Sequence, residues 1–241
     1  GLCMSKRYDV VGIGNAMVDV IASASDTFLD HMGIEKGIMQ LVERERAEVL
    51  YAAMKDQTEA PGGSVATTLA GLGRLGLSPA FIGKVRDDAL GRFYADAMDA
   101  AGTAFPNPPQ EAKAPTSRSM IFVSPDGERS MHTYLGAGAD LGAEDVSPQV
   151  FDGARILFLE GYLFDKPEGK AAFEQAAQLI KGAGGLAGIT LSDPFCVSRH
   201  RADFQRLVVE QMDFVIGNEH EWAELYETDL DAALSRATEG C

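Results

Sequence analysis

YDVVGIG, residues 8–14, is a mostly apolar run that ends in glycines, and it indicates the fold class of this chain. Such a run is typical of a parallel strand that is buried on both faces of a sheet. Similar runs recur at 80–85, 155–161, 186–192 and 213–218. Helical patterns separate them, at 43–56, 64–75, 88–101, 168–182, 201–211 and 219–226. This alternation predicts an α/β fold, a Rossmann-like doubly wound and mainly parallel sheet with helices on both faces.

Two segments interrupt the alternation and predict a second, smaller sheet. Residues 17–25 and 37–42 are typical of short antiparallel strands, and 119–135 predicts a hairpin around PDGE. We therefore expect a small inserted β-sheet lid over the carboxyl ends of the core strands, where open α/β folds bind their ligands. The predicted boundaries are 16–42 and 111–137 for the lid, and 7–15, 43–110 and 138–241 for the α/β core.

Composition excludes several classes of function. The net charge of −15 argues against a surface that binds duplex nucleic acid, since phosphate contacts need clustered Lys and Arg. No apolar run approaches the roughly 18 residues of a membrane span, which argues against a membrane partner. Cys3, Cys196 and Cys241 have no metal-ligand spacing, and so sparse a set predicts a reducing, cytoplasmic compartment.

Gly12 and Gly14 follow the first strand and suggest a dinucleotide-binding turn. The fingerprint fails, because Met17 stands where a third glycine belongs and Asp19 comes too early for the ribose-binding acid. A dinucleotide-dependent oxidoreductase is therefore the least favoured of the three functional hypotheses for this chain; the other two are given below. Asn15 and Asp19 lie just past the strand's carboxyl end, where they could hold sugar hydroxyls. Alternatively, Asp19 simply accepts a hydrogen bond from a backbone amide in a turn, and the spacing leaves both open.

The stretch 61–76, PGGSVATTLAGLGRLG, carries two kinds of glycine. Gly62 and Gly63 precede a predicted helix with Ser64 as its N-cap, so the backbone and the free amides could approach a ligand closely. The later glycines are beyond reach of that ligand and indicate close helix packing and a helix stop.

Three further turns carry polar residues. Asp87 and Asp88 are predicted to cap a helix, and LGAGAD at 135–140 is interpreted as the exit from the lid and not as an anion-binding loop. Asn218 and Glu221 are three residues apart at a strand-to-helix turn, where they could hold a hydrated Mg²⁺ against phosphates.

Seven motifs, taken together and in order, resemble the ribokinase-like (PfkB-type) carbohydrate kinase family, and within it the adenosine-kinase-like members. They are GNAMVD, PGGSVATT, GKVRDDALGRF, PDGERSMHTYLGAGADL, LEGYLFD, LSDPF and NEHE. Each motif alone is weak, but the ordered set is specific and runs from about Tyr8 to the end of the chain. The resemblance implies a Rossmann-like core with a β-sheet lid, in agreement with the fold predicted from the periodicity.

The resemblance also implies an activity, the ATP- and Mg²⁺-dependent phosphorylation of a hydroxyl of a nucleoside or a sugar. Arg129 matches a lid arginine that can approach the transferred phosphate, and Asn218 and Glu221 match an Asn-x-x-Glu motif for ATP and Mg²⁺, with Glu221 acting through water. The positions that match substrate contacts are Asn15, Asp19, Gly62, Gly63, Ser64, Thr67 and Tyr162, of which Tyr162 would lie beside the nucleobase. The family usually has asparagine at Thr67, so the substrate contact there is reduced to a hydroxyl.

One family signature, Asp-Thr-x-Gly-Ala-Gly-Asp, does not occur in the 241 residues. In the family it supplies an anion hole and the catalytic base, so we expect the base beyond Cys241 and no turnover from these residues alone. The alternative hypothesis is a non-catalytic module that binds a nucleoside or a sugar. A homodimer through the open edge of the lid sheet is a further expectation.

Overall fold

A computed structural model of the chain describes residues 7–160, 163, 166–190, 202, 205–206 and 212–216. Its first sheet has five parallel strands in the order β10-β9-β8-β1-β5. These strands are β1 (Val10–Ile13), β5 (Pro79–Ile82), β8 (Ile156–Glu160), β9 (Leu186–Thr190) and β10 (Phe214–Ile216). All five predicted core strands and the predicted fold class are confirmed.

Helices cover both faces of this first sheet. In β1, Val11 and Ile13 belong to an apolar cluster with α5 (Pro167–Gly182). The alternate residues of β1 face the opposite side, where α3 (Ser64–Arg74) and α4 (Ala89–Ala100) pack. Successive side chains of β1 point to opposite faces of the sheet, and helices cover both faces. Every residue of β1 is therefore buried, which explains its unbroken apolar sequence.

The second sheet also has five strands, in the order β3-β7-β6-β2-β4. They are β2 (Met17–Ser23), β3 (Met39–Leu41), β4 (Thr58–Gly62), β6 (Ser117–Val123) and β7 (Arg129–Tyr134), with α1 (Asp26–His31) and α2 (Arg44–Ala53) packed against one face. The predicted division of the chain is wrong for α2 and β4, which were assigned to the core. Helix α2 packs on β6 and β7, and β4 pairs with β2. Strand β4 contains Pro61, which argues against a strand in the sequence. The proline is tolerated because β4 lies at the edge of the sheet.

The predicted antiparallel pairing of the lid is only partly confirmed. Strands β6 and β7 form the expected antiparallel hairpin, with Gly127 at φ +84° in its turn. Strand β2 instead pairs with β6 in parallel, and β3 pairs with β7 in parallel. Strands that are distant in sequence and joined by crossovers can run in the same direction, and no local pattern records that choice.

The two sheets meet at the carboxyl end of β1. Strand β1 ends at Ile13 and β2 begins at Met17, while β4 ends at Gly62 just before α3. A single apolar cluster continues from α3 and α4 into the second sheet, α1 and α2. Among the helices that the structure describes, none is long and apolar enough to cross a membrane.

Candidate functional site

Asn15 lies at the centre of the junction between the sheets and is only 3% exposed. Its main-chain N–H donates a hydrogen bond of 3.0 Å to Oε2 of Glu160, at the end of β8. Its Oδ1 accepts a hydrogen bond from Oγ of Ser117 at 3.0 Å, and that Oγ accepts one from the main-chain N–H of Gly138 at 3.0 Å. Asn15 is therefore held at its backbone by one sheet and at its side chain by the other.

Gly12 and Gly14 have packing roles that differ from those of a dinucleotide fingerprint. A Cβ at Gly12 would lie 2.6 Å from both Leu69 Cδ1 and Val65 Cγ1 of α3. A Cβ at Gly14 would overlap the carboxylate of Glu160. Gly12 thus allows α3 to pack closely on β1, and Gly14 leaves space for the Glu160 carboxylate that holds Asn15.

Asp19 is half-buried in the interior of β2, on the same face of the second sheet as Met17. Burial raises the pKa of its carboxyl, and the positive charge of Arg129 acts in the opposite direction. A Cβ at Gly62 would lie 2.6 Å from the Asp19 Cγ, so the glycine makes room for this carboxylate. No described residue donates a hydrogen bond to Asp19, and its place within a strand does not support the turn alternative.

The start of α3 approaches the same junction. Gly63 is the N-cap of α3, at φ +97°, and the expectation that Ser64 caps the helix is wrong by one residue. A Cβ at Gly63 would be 3.3 Å from the carbonyl oxygen of Asn15, which shows how closely the turn packs there. Ser64 is exposed in the first turn, and Thr67 donates its hydroxyl to the Gly63 carbonyl at 3.1 Å. The first-turn amides of α3, which have no acceptor within the helix, therefore lie next to Asn15.

A row of residues crosses the second sheet on the face that carries Asp19. The strand register places Asp19 opposite Ser119, Ser119 opposite Thr133, and Thr133 beside Leu41. The Ser119 and Thr133 hydroxyls are buried and 3.1 Å apart. Since adjacent strands are roughly 4.8 Å apart, Asp19 and Thr133 are separated by about 10 Å.

A cavity of about 410 Å³ lies at the far end of this row. Leu41 and Thr133 line it, together with Leu135 and Ala139. An ion pair between Lys166 Nζ and Asp140 Oδ1, at 2.6 Å, also borders the cavity. The face therefore has a carboxylate at one side and, at the other, a pocket with both apolar and polar walls.

Arg129 begins β7 and is exposed. It lies on the same face as Thr133, four residues away along the strand. It forms no ion pair with any residue in the described part of the chain, so its guanidinium could meet an anion. Burial raises the pKa of the Asp19 carboxyl, and the positive charge of Arg129 partly offsets this increase.

Glu160 and Tyr94 form a buried acidic pair that the sequence reasoning missed. Glu160 is 3% exposed, and burial raises the pKa of its carboxyl to about 7. Tyr94 of α4 is fully buried, its hydroxyl has no hydrogen-bond partner, and burial raises its pKa, with Glu160 and Asp19 adding to the effect. The sequence does contain a signal for a buried acid, because the apolar run ILFLE ends in the carboxylate of Glu160.

Of the two aspartates predicted to cap a helix, only Asp88 does so. Its carboxylate accepts from the Gly91 N–H at 2.8 Å, and also from the main chain and hydroxyl of Thr116 at 3.0 and 2.7 Å. Asp87 instead pairs with Arg92 on the surface. Asp88 therefore ties α4 to the segment that enters β6.

Three predicted site residues, Tyr162, Asn218 and Glu221, lie outside the described residues. Within the described ranges, no group of three or more His, Cys, Asp or Glu side chains could hold a metal ion. The structure thus brings the described residues that are predicted to contact the substrate together around Asn15 and Asp19, and the roles of all the predicted site residues stay predictions.

Comparisons with known proteins agree on the relatives of this chain. The family model described as pfkB family carbohydrate kinase matches residues 29–239. A crystal structure of adenosine kinase from Sinorhizobium meliloti is 45% identical, with a TM-score of 0.89, and the match covers 98% of this chain and 73% of that one. A protein from Rhizobium etli CFN 42, titled a probable sugar kinase, is 43% identical with a TM-score of 0.89, over 98% of this chain and 72% of that one.

Curated sequences give a more distant match. Guanosine-inosine kinase of Escherichia coli K12 is 24% identical over an alignment of 236 residues, and the match covers 94% of this chain and 54% of that protein. The chain therefore spans about half the length of the curated relatives that it matches.

Proposed function

The chain belongs to the pfkB family of carbohydrate kinases, and we propose that it transfers the γ-phosphoryl group of ATP to a hydroxyl of an adenosine-like nucleoside. In this reaction the hydroxyl oxygen forms a bond to the γ-phosphorus, the bond to the ADP oxygen breaks, and the hydroxyl proton leaves. None of the described residues is assigned as the acceptor of that proton.

The row from Asp19 to Leu41 carries the proposal. A nucleoside combines a polar sugar with a flat, largely apolar base, and this face offers a carboxylate and a pocket of about 410 Å³ on opposite sides. Recognition sites typically join such apolar walls with a few placed polar groups. The 45% identity to a protein named adenosine kinase supports the same choice of substrate.

Each described residue has a specific role in the proposal. Asp19 orients the reacting hydroxyl, and Asn15 holds a second sugar hydroxyl. Gly62 and Gly63 let the backbone approach the sugar, and Ser64 and Thr67 border it at the start of α3. Such placement of reactants accounts for much of the catalysis of phosphoryl transfer.

The remaining roles concern the phosphates. Arg129 is proposed to approach the transferred phosphate from the second sheet. Asn218 and Glu221 are the proposed contacts of ATP, with Glu221 holding Mg²⁺ through water, and Tyr162 is proposed to lie beside the base. When bound, Mg²⁺ would neutralise phosphate charge.

A sugar is the second candidate acceptor, because one relative at 43% identity is titled a probable sugar kinase. It would use Asn15 and Asp19 without filling the cavity beside Leu41. A variant of the cavity therefore separates the two substrates.

The test is an ADP-release panel on the natural protein with ATP, Mg²⁺ and adenosine, inosine, guanosine, ribose or fructose as acceptor. We expect the highest kcat/KM with adenosine, and a loss of about 100-fold or more in Asp19→Asn. Leu41→Ala should raise KM for adenosine several-fold and leave KM for a sugar unchanged, while Leu75→Ala, at a residue 80% exposed, serves as the matched control.

The opposite outcomes are equally clear. Fastest turnover with a sugar, and no effect of Leu41→Ala, would replace the nucleoside by a sugar. Binding of adenosine without any ADP release from the natural protein would favour the non-catalytic binding module.

A further inference from the structure

Glu160 is a buried acid for which the proposed reaction has no role. It ends β8 at the carboxyl edge of the core sheet, and Gly14 lacks a side chain where its carboxylate lies. Its Oε2 accepts the main-chain N–H of Asn15 at 3.0 Å, a contact between residues 145 positions apart. An acid placed in this way acts on the backbone of the junction.

That backbone is the link between the two sheets. Asn15 stands between the end of β1 and the start of β2, and Asp19 lies within β2. A displacement of the Asn15 peptide would therefore move the Asn15 side chain directly and Asp19 through its strand. Ser117 holds the Asn15 side chain from the second sheet, so Glu160 supplies the matching restraint from the core.

We propose that Glu160 is a positioning residue for the acceptor substrate, whose carboxylate anchors the Asn15 peptide so that Asn15 and Asp19 face the sugar. This inference rests on the proposed function. It assigns to Glu160 no contact with the substrate.

The ionised form of Glu160 should position Asn15 better than the neutral form. A hydrogen bond to a charged acceptor is shorter and roughly twice as strong as one between neutral groups. Among the described residues, Tyr94 on α4 interacts electrostatically with Glu160, and Tyr94 also interacts with Asp19 on β2. Strands β1 and β9 contain no ionisable residue, and the only one in α3, Arg74, lies in its last turn at the opposite end of the sheet.

Described residues thus supply no cation that would hold Glu160 ionised, and burial raises its pKa to about 7. Near neutral pH the acid therefore changes between its two forms. The acceptor site should weaken as the pH falls from 8 to 6.

The experiment compares the natural protein with Glu160→Gln, which keeps the shape and a neutral acceptor, and Glu160→Ala, which removes the acceptor. The readouts are KM for adenosine, KM for ATP and kcat between pH 6 and 8. Glu168→Gln, at an exposed residue in the first turn of α5, is the matched control.

We expect Glu160→Gln to raise KM for adenosine about three- to tenfold at pH 8, with KM for ATP unchanged. Its KM for adenosine should vary less with pH than that of the natural protein, which should rise toward the variant's value as the pH falls. Titration of Asp19 occurs in both proteins, so the difference between the two profiles reports Glu160. Glu160→Ala should have the larger KM effect and faster hydrogen exchange at the Asn15 amide.

Faster exchange at Asn15 in Glu160→Ala, with every kinetic constant unchanged in both variants, would show a purely structural role and overturn the inference. Equal changes of KM for adenosine and for ATP would overturn it as well. A natural protein that releases no ADP with any acceptor would instead overturn the proposed function, and this inference with it.

Discussion

Replacing Glu160 by glutamine should make the stability of the protein less dependent on pH. The carboxyl has a pKa of about 7 in the folded chain, compared with 4.5 for an exposed glutamate. Below pH 4.5 both states bind the proton, and the full contribution of the neutral acid to stability is present. As the pH rises toward 7, the unfolded state releases its proton first, so the folded state loses stability.

The size of the loss follows from the two pKa values. One pKa unit corresponds to 1.36 kcal/mol, so the whole difference amounts to about 3 kcal/mol. Integrated between pH 5 and pH 8, the natural protein should lose about 2.5 kcal/mol from this group. Glutamine cannot ionise, and Glu160→Gln should not show this loss.

The assay is urea unfolding followed by circular dichroism at pH 5, 6, 7 and 8. The difference in the free energy of unfolding, Glu160→Gln minus natural protein, should become more positive by about 2.5 kcal/mol across this range. Glu168→Gln, at an exposed position, should give a difference that stays constant with pH.

Parallel curves for Glu160→Gln and the natural protein would refute the reasoning. They would mean that the carboxyl titrates at its ordinary pKa, and therefore that it is hydrated or paired with a cation in the folded chain. A difference that becomes more negative with rising pH would indicate a net favourable charge and would refute it as well.

Three further predictions concern packing, capping and an unpaired hydroxyl. Gly12→Ala should destabilise the protein by about 1–3 kcal/mol, because the new methyl group overlaps two α3 side chains. Gly182→Ala, in open space at the end of α5, should instead stabilise it by up to about 1 kcal/mol, and equal effects of the two substitutions in thermal melts would contradict this. Asp88→Ala removes a helix cap and two further hydrogen bonds, and it should lower the free energy of unfolding in urea by about 2–4 kcal/mol. Asp87→Ala, on the surface, should lower it by less than about 1 kcal/mol, and the reverse order would be incompatible with the capping assignment. Tyr94→Phe should leave the free energy of unfolding unchanged or raise it by up to about 1 kcal/mol, since the buried hydroxyl has no partner, and a marked loss of stability would reveal a partner.

Much of the architecture could be predicted from local pattern. The five core strands, four of the helices and the hairpin around PDGE each carry a periodicity or a turn signal within a few residues. The site could be predicted in part, since Asn15 and Asp19 were expected at the carboxyl end of the first strand. They do lie together there, beside Gly62 and Gly63.

The functions of individual glycines could not be assigned in the same way. Gly12 and Gly14 belong to one short motif, but α3 fills the space at the first and Glu160 fills it at the second. What a glycine admits depends on the element that packs over it. That element is elsewhere in the sequence.

Local sequence is therefore sufficient to specify which segments become strands and helices, because hydrophobic periodicity and turn chemistry act over a few residues. Long-range packing sets the rest: β4 joins the second sheet, β2 runs parallel to β6, and Asp19 shares a row with Leu41. The same packing brings Glu160 to the Asn15 amide across 145 residues. Strand pairing and burial depend on partners that are distant along the chain, and no local pattern records which partner is chosen.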